Sequence, residues 1–199
     1  MQMEDILSRI YVPELISLNR VEKEIMNITI EKIDPNNELQ AEAYCSWLAD
    51  ELVVNNWFLQ NDDEDFTVSF SVDDFKKAFS KEDKIAFIIK DDYDYFGYGS
   101  FFINHPVGMH KEGRVCWPSL AIGKSSHRGK GLSKHIFSEI RKLAIREGCT
   151  HVEAGIFDFN EAIRANLIKM GFKLIGRREN LTFVDGKWWG SEHYLIELK

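Results

Sequence analysis

The residues with the clearest chemical potential lie in segment 128–133, which reads RGKGLS and precedes a strongly amphipathic stretch. The first turn of a helix leaves backbone N–H groups without partners, and the helix dipole adds partial positive charge there. Glycines at 129 and 131 would leave those donors open to an anion. Basic side chains that suit phosphate surround the segment, namely His127, Arg128, Lys130, Lys134 and His135. The segment therefore has the outline of a diphosphate-binding loop, although an ordinary turn can have the same composition.

Two widespread phosphate-binding motifs do not fit this segment. A P-loop needs G-x-x-x-x-G-K-[ST], but Gly131 is followed by Leu132. A dinucleotide fingerprint needs G-x-G-x-x-G, but Lys134 stands where its last glycine would be. What remains is R-x-x-G-x-S.

The elements around the loop form a strand–loop–helix–strand crossover. Segment 115–122 is predicted as a strand and 131–147 as a helix that ends at Gly148. A second strand is predicted over 150–157, and Asn160 is predicted to cap a helix that runs to Met170. This order places the loop between a strand and the start of a long helix.

The remaining pattern predicts a sheet flanked by helices. Strands are expected at 28–33, 84–90, 95–103, 172–184 and 187–199, the last two joined by the turn Asp185-Gly186. Helices are expected over 4–27 with an interruption at Pro13, over 39–54, and after Ser71, with a loop at 55–65. The fold class is therefore α+β, an α/β three-layer arrangement with a mixed, mostly antiparallel sheet of about seven strands. Residues 1–27 form a helical extension and 28–199 a single domain.

Composition excludes several classes of protein. The chain has 199 residues, is 44% hydrophobic and carries 5 Trp and 14 Phe, which indicates a folded domain and not a disordered one. No apolar run is long enough for a membrane span, and the first 30 residues lack a signal-peptide pattern. Three widely spaced cysteines suit neither a disulfide framework nor a zinc site. We expect a cytoplasmic protein with no metal and no membrane partner.

The charge is divided unevenly along the chain. Residues 1–112 contain 23 acidic and 10 basic side chains, whereas 113–199 contain 9 and 15. A nucleic-acid binder would not show this division, so no nucleic-acid partner is expected. An anionic ligand held by the second half and a cationic one near the first would explain it, as would unevenly charged solvated faces.

Segments 119–149 and 157–172 resemble the acetyl-CoA-binding core of the GCN5-related N-acetyltransferase (GNAT) family. The family motif [Q/R]-x-x-G-x-[G/A] matches Arg128 to Gly131, and Ser133 replaces the final small residue. The next helix begins with Asn160 and ends Lys-Met-Gly-Phe at 169–172, as is usual in the family. The C-terminal hairpin is similar to that of the ribosomal-protein and small-amine branch. The resemblance is good over 84–199, extends to 28–83 by element order only, and places an acetyl-CoA-binding core at 113–172 of an acyl-CoA N-acyltransferase fold.

The resemblance implies where acetyl-CoA binds. The strand that ends at Ile122 splays from the strand at 150–157, and pantetheine inserts between them. Amides from Arg128 to Ser133 hold the pyrophosphate, while Asn160 contacts the pantetheine arm, caps its helix, or does both. The implied contact residues are Leu120, Ala121, Ile122, His127, Arg128, Gly129, Lys130, Gly131, Leu132, Ser133 and Asn160.

The family's usual acid and base are missing. The position of its glutamate base is Cys116, and that of its tyrosine acid is Leu167. Substitutes for the base are Glu153, Asp158 and, at the rim, Glu112, each of which has a structural alternative as a solvated or packing carboxylate. The acid is Tyr98 or Tyr194, which the sequence does not separate.

The resemblance implies an N-acetyltransferase that moves the acetyl group of acetyl-CoA to a primary amine by direct attack. The amine belongs to a small molecule, antibiotic, polyamine or protein. Trp188-Trp189 would either wall the acceptor pocket or pack in the sheet. The alternative is a non-catalytic acyl-CoA-binding sensor, or an interaction protein that forms a homodimer through residues 1–27.

Overall fold

The computed structural model describes residues 27–60, 68–80 and 85–199. The helix predicted over 4–27 lies outside them, apart from Asn27. Seven strands are present in that part of the chain: β1 Thr29–Lys32, β2 Ile85–Lys90, β3 Tyr95–Ile103, β4 Val115–Ile122, β5 His151–Phe157, β6 Lys173–Val184 and β7 Lys187–Glu197. The helices are α1 Glu38–Trp47, α2 Glu51–Trp57, α3 Val72–Phe79, α4 Leu132–Arg146 and α5 Glu161–Lys169.

The seven strands form one mixed sheet in the order β1-β2-β3-β4-β5-β7-β6. All neighbours are antiparallel except β4 and β5, which are parallel and joined through α4. The predicted fold class is therefore confirmed, including the central crossover. The last strand, β7, lies inside the sheet between β5 and β6.

A separate apolar core covers each face of the sheet. On one face, α4 and α5 contribute Ile136, Ile140 and Leu167 to a cluster with side chains of β4 and β5. On the other face, α1 and α3 contribute Tyr44 and Phe75 to a cluster with side chains of β2 and β3. These two faces are called the α4–α5 face and the α1–α3 face below.

The prediction of one continuous helix over 39–54 is wrong, because the helix is interrupted between α1 and α2. Leu48 closes α1, and the Asp50 side chain accepts the backbone N–H of Leu52 at 2.9 Å and begins a new helix. Aspartate at this position competes with helix continuation by hydrogen-bonding to its own backbone. The loop predicted from 55 accordingly starts later, after α2 ends at Trp57.

The helix expected after Ser71 is confirmed as α3, whose first turn has reciprocal Ser71–Asp74 capping. Within the three described ranges, no helix is long and apolar enough to cross a membrane.

Candidate functional site

A gap opens in the sheet between β4 and β5. The two strands pair only at Val115 with His151 and at Cys116 with Val152, although β4 continues to Ile122. From Trp117 onward the β4 backbone has no registered partner on its β5 side. Backbone groups on such an edge can pair with an extended ligand as with an added strand. The predicted contacts Leu120, Ala121 and Ile122 all lie on this open edge.

The glycine loop follows directly from the open end of β4. Gly129 and Gly131 have φ of 72° and 74°, a conformation that side chains rarely adopt, and Gly131 caps α4 without a side-chain hydrogen bond. Across the described ranges, no acceptor faces the backbone N–H groups of residues 129–131. A Cβ atom added at either glycine would meet nothing within 4 Å. The loop therefore presents free donors to open space, as an anion requires.

Three other predicted contact residues lie in the loop or in the first turn of α4. Lys130 is exposed next to the free amides. Ser133 Oγ accepts a hydrogen bond from Asn166 Nδ2 of α5 at 3.2 Å, so its own O–H proton stays available to a ligand. Leu132 is the first residue of α4 and is half-buried against the α4–α5 core.

The Arg128 side chain does not extend toward the free amides. Its Nε donates to the Ile122 carbonyl at 2.9 Å and its Nη2 to the Gly123 carbonyl at 2.5 Å, and Nη2 also pairs with Asp50 at 2.8 Å. The hydrogen bond from Arg128 holds the pKa of Asp50 below its usual value. The Arg128 backbone N–H is also used, since it donates to Ser125. Arg128 therefore clamps the loop to β4 and α2, and the free donors begin at Gly129.

The His127 side chain, expected from the sequence to bind phosphate at the loop, is directed to other partners. Its ring is buried at 6% exposure and stacks on Phe96 with centroids 4.4 Å apart. Its Nε2 lies 3.0 Å from Asp91 Oδ2, and its Nδ1 lies 3.0 Å from Ser126 Oγ. Both ring nitrogens are thus occupied, so neither is available to bind a phosphate at the loop.

The Asp91–His127 pair, whose histidine is buried, predicts a loss of stability in acid. Burial alone would raise the pKa of Asp91, but hydrogen bonds from His127 and from its own turn lower it to about 2. Because the folded pKa lies below the unfolded value of about 3.9, the gain is present above pH ~4 and is lost as pH falls toward ~2. We expect Asp91→Asn to remove about 2 kcal/mol from the free energy of unfolding at pH 7.

Urea unfolding measured between pH 2 and pH 7 checks this expectation. The variant should show a smaller decline of stability below about pH 4 than the parent protein does. The exposed neighbour Asp92 provides the matched control, because Asp92→Asn removes the same charge from an exposed site. Equal effects of the two substitutions would contradict the assignment.

Asn160 caps α5 as the sequence predicts, since its Oδ1 accepts the Ile163 N–H at 3.2 Å. Its Nδ2 also donates to Asn56 Oδ1 of α2 at 2.6 Å. The side chain therefore joins helices from opposite sides of the sheet next to the end of β5. Its contact with a pantetheine arm stays a prediction.

The three candidate carboxylates lie in different surroundings. Glu153 is fully buried, and its oxygens accept the backbone N–H groups of Met109 at 2.7 Å and His110 at 2.9 Å. Glu112 is exposed. Asp158 Oδ2 accepts Gly190 N–H at 3.2 Å, whereas its buried Oδ1 has no partner among the described residues. The structure does not bring these three groups together.

The two candidate tyrosines lie on opposite faces of the sheet. Tyr98 packs 5.1 Å from Tyr44 on the α1–α3 face, and burial raises its pKa to about 12. Tyr194 is on the α4–α5 face and donates to Glu192 Oε2 at 2.8 Å. Glu192 also binds Arg164 of α5 at 2.7 Å and Arg177 of β6 at 2.8 Å. Tyr194 therefore belongs to a polar network that holds α5 to β7.

The positions of the two missing family residues are apolar. Cys116 and Leu167 both lie in the core of the α4–α5 face. Burial raises the pKa of the Cys116 thiol well above its usual value. Neither residue can supply a base or an acid from there.

A model of the acetyltransferase (GNAT) family matches residues 41–172. The chain belongs to this family. It is accordingly an acyltransferase, and the matched region contains the gap, the glycine loop and α5. No curated protein sequence matches the chain significantly.

Solved structures share this GNAT fold across most of the chain. The spermidine N-acetyltransferase of Vibrio cholerae, in complex with CoA and spermine, has a TM-score of 0.68 at 13% identity and covers 86% of this chain and 96% of its own. The yncA protein of Salmonella typhimurium, with its cofactor acetyl-CoA, has a TM-score of 0.64 at 20% identity and covers 86% and 94%. RimJ of Mycobacterium smegmatis, in complex with CoA-disulfide, has a TM-score of 0.66 at 19% identity and covers 85% and 81%. At these identities the likeness establishes the fold.

One buried polar residue of this GNAT domain, His193, was not predicted from the sequence as a site residue. His193 of β7 is 2% exposed, and its Nδ1 lies 2.8 Å from Glu153 Oε1. Burial alone would raise the pKa of Glu153, but its hydrogen bonds lower that pKa below the usual value. No local signal marks His193, because the buried run from Ser191 to Tyr194 does not alternate between polar and apolar residues.

Aromatic side chains surround this group on the α1–α3 face. The Trp117 ring lies 5.4 Å from the His193 ring and 5.5 Å from that of His105. Trp57 Nε1 donates to Ser119 Oγ of β4 at 2.7 Å. The two tryptophans considered for the wall of the acceptor pocket have different surroundings. Trp189 packs on Phe159, whereas Trp188 is 41% exposed beside Phe183. Among the residues described, no cluster of three or more side chains is arranged to hold a metal.

Proposed function

We propose that this protein moves the acetyl group of acetyl-CoA to a primary amine by direct attack of the amine on the thioester. The observation that carries the proposal is the continuity of two binding features. The unpaired edge of β4 runs to Ile122, and the free amides of Gly129 to Gly131 follow after one clamped turn. An extended pantetheine arm suits the edge, and the pyrophosphate suits the amides at the start of α4.

Departure of the thiolate needs little acid catalysis, whereas the amine must be deprotonated. A thiol with a pKa near ~8.5 leaves without strong acid assistance, so the loss of the family tyrosine at Leu167 is tolerable. A primary alkylamine with a pKa near ~10.4 is mostly protonated at neutral pH and must lose a proton before it attacks. The proposed reaction therefore needs a proton acceptor on the amine side.

We infer a small cationic amine as the acceptor. The acidic balance of residues 1–112 would draw a cation toward the first half of the chain. The α1–α3 face beside the gap carries the half-buried rings of Trp57, Trp117 and His105, which suit contact with a small cationic molecule. The related structure from Vibrio cholerae contains spermine, which is an amine of this class.

Calorimetric titration and an amine screen test the proposal. The protein should bind acetyl-CoA in the presence of EDTA, because no metal is expected to take part. It should then release free thiol from acetyl-CoA faster with at least one amine of a panel of polyamines, amino sugars, aromatic amines and peptides. Failure to bind acetyl-CoA at sub-millimolar concentration would refute the proposal. Binding without turnover of any amine would favour the alternative of an acyl-CoA-binding sensor.

A further inference from the structure

We infer that His193, held in place by Glu153, accepts the proton of the acceptor amine. The inference rests on the acetyl transfer proposed above and assigns the proton acceptor that this reaction needs on the amine side. Glu153 is a positioning residue in this scheme. Its carboxylate fixes the ring and does not touch the substrate.

The hydrogen bonds of the pair decide which nitrogen is basic. Glu153 is ionised and can only accept, so the Nδ1 of His193 carries a proton in the 2.8 Å contact. In the neutral ring, Nε2 then holds the lone pair. Nε2 faces Ser191 Oγ at 3.4 Å, a contact long enough to be exchanged for an amine N–H.

The strand register places this nitrogen beside the gap. His193 is paired with Gly155 of β5. Extending the parallel register from Cys116 and Val152 puts Gly155 level with Ser119, within the open stretch of β4. Gly155 leaves room for the Trp117 ring, since a Cβ atom added at Gly155 would lie only 2.6 Å from that ring. His193 is therefore one strand beyond the gap, at the depth of the thioester end of an inserted pantetheine.

Among the described residues, no charged side chain other than Glu153 is in hydrogen-bond or ring contact with His193. From the segment between β3 and β4, His105 lies beyond Trp117. His110 gives its backbone N–H to Glu153, and its ring packs on that of His151 with centroids 4.4 Å apart. From β6, Gly176 is opposite His193, and Arg178 donates to the Val107 carbonyl at 2.7 Å. Glu153 is thus the ionised side chain in direct contact with the ring.

The bound ammonium first gives one proton to Nε2 of His193, and the neutral amine nitrogen then forms a bond to the acetyl carbon. The carbon–sulfur bond breaks, and the thiolate leaves with the electron pair. The thiolate takes the second N–H proton of the nitrogen, which leaves the neutral amide. The imidazolium releases the first proton to water, which restores the neutral ring.

Glu153 also has a structural role, because it holds Met109 and His110 through their backbone N–H groups. A loss of activity on substitution is therefore insufficient as a test. The dependence of that loss on pH distinguishes the two roles, because a missing base is compensated when the amine deprotonates in solution. A purely structural defect does not recover in this way.

The experiment measures kcat and kcat/KM against pH, with the most active amine of the screen. In the parent protein, kcat/KM should reach a plateau well below the amine pKa of ~10.4, because a protein base and not the solvent takes the proton. His193→Asn keeps a donor to Glu153 and removes the base. It should lower kcat at pH 7 by about a hundredfold or more. The deficit should shrink steadily toward pH ~9.5, with acetyl-CoA affinity by titration unchanged within about twofold.

His151→Asn is the matched control. It changes the same residue type on β5, two positions before Glu153, at the end where β4 and β5 still pair. It should retain the plateau of the parent protein. A deficit of His193→Asn that is equal at every pH, or no deficit, would overturn the inference.

The parent protein decides the matter if His193→Asn does not fold. A kcat/KM that keeps rising about tenfold per pH unit to pH ~9 would mean that the amine deprotonates in solution and that no protein base acts. A plateau supports the base. A parent protein that binds acetyl-CoA and turns over no amine would instead remove the proposed function, and the inference with it.

Discussion

Gly131→Asp is expected to weaken acetyl-CoA binding by about a hundredfold or more, because it places a carboxylate before the free amides at the start of α4. Two unit charges ~4 Å apart near a protein surface repel by about 4 kcal/mol, which allows a loss of this size. Calorimetric titration of acetyl-CoA measures it. The fold should survive, because aspartate tolerates the left-handed conformation of Gly131 and is a good helix N-cap.

Gly131→Asn is the matched control for this loss. Asparagine has the same shape, tolerates the same backbone conformation and caps helices equally well, but it carries no charge. The difference in affinity between the two variants therefore isolates the electrostatic part. Equal affinities would show that the phosphate groups do not bind at these amides, and so would an affinity for Gly131→Asp that matches the parent protein.

Glu192→Ala is expected to lower the free energy of unfolding by about 3 kcal/mol, the low end for removing one partner of a buried ion pair. Glu192 is 3% exposed and accepts from Arg164, Arg177 and Tyr194. The low end applies because Arg164 retains 27% of its side-chain exposure and can recover water. Urea unfolding at neutral pH measures the loss.

Arg177→Ala provides the comparison within the same network. Its side chain is 62% exposed, so its removal should cost less than about 1 kcal/mol. Glu192→Gln should fall between the two, because it keeps the shape and part of the hydrogen bonding. A loss for Arg177→Ala as large as that for Glu192→Ala would show that the network is not held by its buried carboxylate.

The features that could be predicted from the sequence depend on local signals. The turn at Asp185-Gly186 has both residues at positive φ, as its composition predicts for a tight hairpin. The glycine loop likewise reveals itself by the two residues that need positive φ. The crossover could be predicted because the spacing of apolar residues changes from that of a strand to that of a helix and back again.

The features that could not be predicted depend on contacts between distant parts of the chain. The Arg128 side chain turns back because Asp50, 78 positions earlier, is close enough to pair with it. The Glu153–His193 contact requires the β5–β7 register, which has no marker in either strand alone. His127 looked like a phosphate ligand because its neighbours are basic, yet its partner Asp91 comes from the turn before β3.

The interior place of β7 has a consequence for the order in which this molecule is assembled on the ribosome. β5 and β6 are synthesised before β7, but each pairs with β7 and not with the other. Until β7 emerges, β5 therefore exposes a bare strand edge, which is a site for pairing with another chain. The C-terminal half must wait for its last strand before it can close, and a nascent chain that stalls after Asp185 would be prone to aggregation.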